Sequence, residues 1–195
     1  VCVRYEVAVL VRAQQRHLAH VLVGELDAQH PCLGLELAPV RHAAIAAFDA
    51  HVQQHHSRIT NMKATMGRSV LVFNIYMQWY PLYEEVKKIC GNRTAYLLAY
   101  TISTGSECPL CSTYFRKSII ENGERPENFA VTEKEQTLLR FAAAAAGQKG
   151  KVSNELYAAL LPLYTEEQLV VLAGFIGLMI ATNTFSNLFE VEIDE

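Results

Sequence analysis

Cys108-Pro109-Leu110-Cys111 follows directly on the apolar run Tyr96-Leu97-Leu98-Ala99-Tyr100-Thr101-Ile102-Ser103, and this junction decides how the chain reads. Proline favours the first position of a helix, where its missing N–H would have no partner in any case. A helix is therefore predicted to begin at Pro109, with Cys108 at its N-cap and Cys111 in its first turn. Two thiols three residues apart can close a short disulfide. A structural zinc would want four ligands, usually two such pairs or a Cys/His set. No histidine follows His56 and the downstream half adds only Cys90. The pair therefore points to thiol–disulfide chemistry rather than to a metal.

Working outward, the pattern is helical from about Ile45 on. His42 to Gln54 carries Ile45, Phe48 and Val52 at helical spacing. Residues 63–80 form a second segment, with Val70, Phe73, Met77 and Trp79, ended by Pro81. Residues 82–90 form a third, broken at Gly91, and 93–104 a fourth, closed by Gly105. The fifth covers 109–122, with Gly123 where a left-handed residue ends a helix. Thr132 with Glu135 makes a capping box before the sixth, which Gly147 stops. Ser153 opens a short seventh before Pro162. Thr165 with Gln168 is a second capping box at the last long helix. No run in this part reads as a strand, so the expected body is all-α, a bundle of about seven helices over residues 45–195.

Composition bounds the function. The chain has 195 residues, 51% of them apolar, enough for a substantial core. The formal net charge is −3 and no basic run stands out, so a nucleic-acid partner is not expected. Five cysteines are an odd number and too few for a disulfide scaffold, which fits a reducing cytoplasm. Leu169 to Ala181 is the most apolar stretch. At thirteen residues it is shorter than the roughly twenty a bilayer needs. It reads as a buried core helix, and no membrane association is expected.

The first 44 residues read differently. All seven histidines lie at or before His56 and all seven lysines at or after Lys63. Val3, Tyr5, Val7, Val9 and Val11 alternate as in a strand, residues 13–26 suit a short helix, and His30-Pro31-Cys32-Leu33-Gly34 is loop-like. Arg4 and Glu6 interrupt the opening run, which does not read as a signal peptide. Residues 1–44 are thus expected to be either a small extension packed on the main domain or the product of an over-extended gene start. The abrupt change in residue usage and the opening Val1 lean towards the second.

A helix N-terminus gives the pair its chemistry. Unpaired backbone N–H groups and the helix dipole stabilise a thiolate, and cysteines in this position can have depressed pKa values. The thiolate, not the thiol, attacks a peroxide O–O bond or a disulfide. A sulfenic acid formed on one cysteine would condense with the other. The proline and the helix start favour an exposed, activated pair over two small core residues that happen to lie three apart. Cys108 at the N-cap feels the dipole more, but Cys111 would be the peroxide-reactive thiol if a base sat beside it, so the order of attack stays open.

At these residues the chain resembles the alkylhydroperoxidase D (AhpD) and carboxymuconolactone decarboxylase superfamily, over roughly residues 45–190. The resemblance rests on Arg58-Ile59-Thr60-Asn61-Met62-Lys63-Ala64-Thr65, on the helix from Tyr96 to Ser103 running into Glu107-Cys108-Pro109-Leu110-Cys111, and on Ile180-Ala181-Thr182-Asn183-Thr184-Phe185. It implies an AhpD-like all-helical fold that forms a homo-oligomer (dimer, trimer or hexamer). It also implies peroxidase or disulfide-reductase activity without a bound cofactor, a hydroperoxide or disulfide as substrate, and a thiol reductant protein as partner. Redox members of the family carry a Glu twelve residues before the first cysteine and a His four residues after the second, as a proton relay. Here Tyr96 and Phe115 stand at those positions. Phe115 moves no proton, and a tyrosine with its ordinary pKa of about 10 is a poor base. Glu107 and Tyr114 flank the pair as substitutes, although surface or packing roles suit them as well. A carboxylate beside a cysteine also raises its pKa.

Other candidates carry less. His51 and His55, four apart with His56 adjacent, have metal-compatible spacing but no further ligand in useful reach, and read as a solvated face. Cys90 is expected to be a buried small residue, Cys2 and Cys32 have no assigned role, and Gly174 and Gly177 are expected to allow a close helix approach. Trp79 reads as core or subunit interface. Two other functions stay open: an enzyme of the decarboxylase branch acting on a lactone, which typically lacks the cysteine pair, and a non-catalytic helical oligomer that senses redox state.

Overall fold

The computed structural model describes residues 38–55 and 57–194. The readings for residues 1–37, including Cys2 and Cys32, and for His56 lie outside them. Every regular element among the described residues is an α-helix. We number them α1 (Ala38–His55), α2 (Asn61–Met66), α3 (Val70–Met77), α4 (Trp79–Gly105), α5 (Pro109–Glu121), α6 (Glu133–Gly147), α7 (Asn154–Leu160) and α8 (Glu166–Leu188). The chain divides into two compact units, one ending at Met77 and taking in Asp194, the other running from Gln78 to Ile193.

In the first unit, α3 packs against α1 and α2. The rings of Phe48 and Phe73 meet edge to face with centroids 5.0 Å apart. Gly67, which ends α2, is required here, because a Cβ on it would lie 2.0 Å from the Phe48 ring. The solvated histidine face expected on α1 is not what forms. His51 is only 4% exposed and packs edge-on against Phe73, at 5.5 Å, and burial lowers its pKa to about 4. Lys63 is buried too, with its ammonium donating to Ser57 Oγ at 2.6 Å and to the Arg58 carbonyl at 2.8 Å. Asp194 returns to accept the Asn61 N–H at 2.8 Å.

The second unit is built around α4, which packs against α5, α6 and α8. Its core holds Val86, Leu97, Leu98 and Ile102 from α4, Ile119 from α5, Leu138 from α6 and Leu172, Phe175 and Met179 from α8. Gly91 interrupts α4 with φ +84°, so the expected break between two helices is present as a kink. Pro81 does not end a helix. It sits in the first turn of α4, where the absent N–H costs nothing. Both capping boxes form: Thr132 with Glu135 opens α6, and Thr165 with Gln168 opens α8. Gly123 follows α5 with φ +81°, and the N–H of Glu124 closes back onto the Ile119 carbonyl at 3.1 Å.

Two expectations for the last helix change. At 23 residues, with an 18-residue stretch of mean hydropathy 1.9, α8 is long and apolar enough to cross a bilayer, so length does not exclude that role. One face of it is nonetheless core, through Leu172, Phe175, Ile176 and Met179. Nothing approaches within 4 Å of a Cβ built on Gly174 or Gly177, so these glycines serve no close helix contact among the described residues.

Glu135 works beyond its cap. Its Oε1 accepts from Thr94 Oγ1 at 2.8 Å and pairs with Arg93 at 2.7 Å, and Arg93 also forks onto Glu124 at 2.7 and 2.9 Å. The Arg93 guanidinium holds the Glu124 carboxyl below its ordinary value of 4.5. A carboxylate depressed in the folded state contributes stability above its unfolded pKa and loses it as pH falls through the folded value. Urea unfolding should therefore show a stability loss beginning near pH 4.5 and deepening below it. Glu124→Gln should lower stability at neutral pH and flatten that acid slope. An unchanged slope would mean the network does not govern acid sensitivity.

Candidate functional site

The last turn of α4 closes in a Schellman pattern. The Cys108 N–H donates to the Ser103 carbonyl and the Glu107 N–H to the Thr104 carbonyl, each at 3.1 Å. The residue in the left-handed position, where glycine is usual, is Glu107 with φ 50°. That reversal brings Cys108 to the N-cap of α5 in an extended conformation, with Pro109 following at the first helical position. Cys108 Sγ accepts the Cys111 N–H at 3.5 Å. One residue thus ends α4 with its backbone and caps α5 with its sulfur.

Both thiols are free, and both are buried: Cys108 is 1% exposed and Cys111 8%. The expected exposed pair is in fact a shielded one, packed where α4 and α8 meet the start of α5. Activation of the two differs in sign. A hydrogen bond from the Cys111 thiol, joined by the N–H groups of Cys111 and Leu110, outweighs burial and lowers the Cys108 pKa from 9.0 to about 7. The same hydrogen bond, together with burial, pushes the Cys111 thiol strongly up, and the Ser186 hydroxyl offsets this only in part. The Cys111 backbone N–H directed at the Cys108 sulfur favours Cys108 as the thiolate of the pair.

The sequence candidates divide accordingly. Cys108 and Cys111 are brought together. Glu107, Tyr96 and Tyr114 are not among the groups acting on either sulfur. Glu107 is exposed and makes no side-chain hydrogen bond to either sulfur among the described residues. Tyr96 is buried and donates its hydroxyl proton to Glu124 Oε1 at 2.8 Å. Burial and that hydrogen bond raise its pKa to about 12, so it is no base at neutral pH. Tyr114 is 57% exposed and meets Phe115 edge-on at 5.0 Å. Phe115 is core. Cys90 is half-buried, its Sγ 3.2 Å from the Val86 carbonyl, with burial raising its pKa to about 11.

Two residues that the sequence reading did not single out hold the site from α8. Asn187 donates through Nδ2 to the carbonyls of Ser106 and Glu107, at 3.3 Å each, and so ties down the turn that delivers Cys108. Ser186, buried one residue earlier, bonds Thr182 and acts on Cys111. Their signal was present: the apolar helix turns polar at Thr182, Asn183, Thr184, Ser186 and Asn187.

Comparison with family models, with curated proteins and with solved structures finds no match in any of the three. The site's chemistry is therefore argued from its own geometry.

Thiolate absorbance near 240 nm, followed against pH in the reduced protein, should show one cysteine titrating with a midpoint near 7. Cys108→Ser should remove that step. Cys111→Ala, which deletes the thiol donor but keeps the backbone N–H, should move it up towards the ordinary thiol value. A step that survives Cys108→Ser would assign the thiolate to the wrong sulfur.

Proposed function

We propose that the chain is a thiol-dependent peroxidase of the alkylhydroperoxidase D type, with Cys108 as nucleophile and Cys111 as resolving thiol. The observation that carries this reading is the capped pair itself, in which the Cys111 N–H donates to the Cys108 sulfur at the start of α5. In the reaction, the Cys108 thiolate attacks one oxygen of a hydroperoxide and the O–O bond breaks. The second oxygen leaves as an alkoxide, or as hydroxide, and takes a proton from water. Cys111 then attacks the sulfur of the Cys108 sulfenic acid, its own proton leaving with the displaced hydroxide as water, and the Cys108–Cys111 disulfide forms. A thiol reductant protein returns the two electrons by disulfide exchange.

Magnitudes set the expected rate. A thiol held below its ordinary value of 9.0 is more ionised at pH 7 than a free one, a gain in nucleophile that the lower intrinsic reactivity of the weaker base offsets in part. General acid–base assistance is typically worth roughly 100- to 10,000-fold. With Phe115 and a Glu124-bound Tyr96 at the relay positions, the preformed thiolate replaces the base, but no side chain at those positions supplies the acid for the leaving oxygen. The proposed enzyme is therefore slow.

Burial selects the oxidant. Either oxidant needs an opening to reach a sulfur that is 1% exposed, and a small hydroperoxide needs a much smaller one than a protein disulfide does. Peroxide is accordingly the proposed first oxidant, and disulfide exchange belongs to the recycling step, after oxidation has changed the pair.

Cys111→Ser leaves a sulfenic acid with no partner. Treated with a small hydroperoxide and dimedone, that variant should carry the adduct on Cys108, and Cys108→Ser should carry none on Cys111. Turnover with a dithiol reductant should vanish in both. Turnover that persists in both variants would refute the peroxidase reading. An adduct found only on Cys111 would reverse the two roles.

A further inference from the structure

One turn and more beyond the thiols, α5 and the first half of α4 enclose an open groove of about 320 Å³. That is at the lower end of the roughly 300–1,000 Å³ of small-molecule sites. Neither cysteine lines it. Its walls are aromatic: Trp79 and Tyr83 lie stacked with centroids 4.4 Å apart, and Tyr114 and Phe115 stand at right angles to each other. Tyr96 contributes its phenol edge. We propose that this groove is a binding site for a small flat aromatic carboxylate, with its ring among Trp79, Tyr83 and Tyr114 and its charge on Lys87.

Three features of the lining lead there. Tyr114 keeps a large ring 57% exposed although Phe115 beside it is buried, so a flat face stands open to a further ring. Offset and edge-on aromatic contacts add to what area burial alone supplies. Lys87 lines the groove with its ammonium 5.3 Å from the Tyr83 centroid, and so places a positive charge at the edge of an aromatic wall. Its partner is Glu84, at 2.6 Å, whose side chain is 61% exposed. An ion pair that open to water contributes little, so a ligand carboxylate can take the place of Glu84 at small cost. Finally, the Tyr96 hydroxyl spends its proton on Glu124, which leaves its oxygen lone pairs and the exposed Asn92 amide as the polar groups that face a ligand's remaining substituents. The carboxylate would take over the Lys87 ammonium from Glu84.

Trp79 is the only tryptophan in the chain, so its indole N–H, which donates to Met179 Sδ at 2.8 Å, gives a single resonance from a side chain of the groove wall. Naphthalene-2-carboxylate titrated into the ¹⁵N-labelled full chain should shift that resonance saturably. Lys87→Met should weaken the binding at least tenfold, and so should replacing the probe by the neutral naphthalene-2-methanol. Cyclohexanecarboxylate, charged but not flat, should give no saturable shift. Tyr114→Ala truncates an exposed ring and leaves the core intact, and it should weaken binding as well. Absence of a saturable shift at millimolar probe, or equal affinity in Lys87→Met, would overturn the proposal. Binding should be unchanged in Cys108→Ser, which separates this site from the proposed peroxidase: either can fail without the other.

Discussion

The hydrogen bond from the Cys108 N–H to the Ser103 carbonyl is the constraint on which the functional part of the structure turns. It closes α4, and it fixes the direction in which the chain enters α5. Because α4 is also the helix against which α5, α6 and α8 pack, the end of α4 and the start of α5 are not independent loops. They are the edges of one core containing Ile102, Ile119 and Phe175. Asn187 of α8 then pins the same turn from the other side through the Ser106 and Glu107 carbonyls. The geometry of two thiols is thereby set by three helices. The strain of a non-glycine residue at φ 50°, Glu107, is held in place by those surrounding bonds.

From this joint follows the asymmetry of the pair. The Cys108 sulfur is at the helix N-terminus and accepts the Cys111 N–H at 3.5 Å, and Cys111 lies one turn in. Two chemically identical side chains are thus separated into a group that ionises and a group that stays protonated. Burial alone would have raised both. The Cys111 N–H on the Cys108 sulfur, together with the neighbouring thiol, favours ionisation of Cys108 over Cys111. A further cost sits on the same helix as Asn187. Asn183, fully buried one turn earlier, has neither amide atom hydrogen-bonded among the described residues, where a buried amide left without a partner costs about 1–3 kcal/mol. Costs of this kind are carried where function competes with stability.

Local signals were the most legible. Pro109 after Cys108, Thr132 with Glu135, Thr165 with Gln168, and Gly123 after α5 each name a helix end by a mechanism that acts within a few residues, and each acts as read. What depended on distant packing was not readable. Spacing on α1 could not tell that His51 faces Phe73 rather than water, because that is decided by α3. The run 63–80 looked like one helix because its apolar spacing continues through Gly67, Arg68 and Ser69, where the structure breaks it into α2 and α3. At the site, the thiols and their helix-start chemistry were visible, but their burial was not. The partners that act on them, Ser186 and Asn187, lie some eighty residues away along the chain. Tyr96 was legible as a poor base, and its bond to Glu124 deepens that through a residue no local pattern connects to it.

The central claim is that Cys108 and Cys111 act as one redox unit. Intact-mass spectrometry with peptide mapping, after one equivalent of hydroperoxide is added to the reduced protein, tests it directly. The account predicts loss of two hydrogens and a single Cys108–Cys111 disulfide, formed ahead of any change at Cys90. A pair that stays reduced while Cys90 or ordinary free thiols oxidise at a similar rate would contradict it.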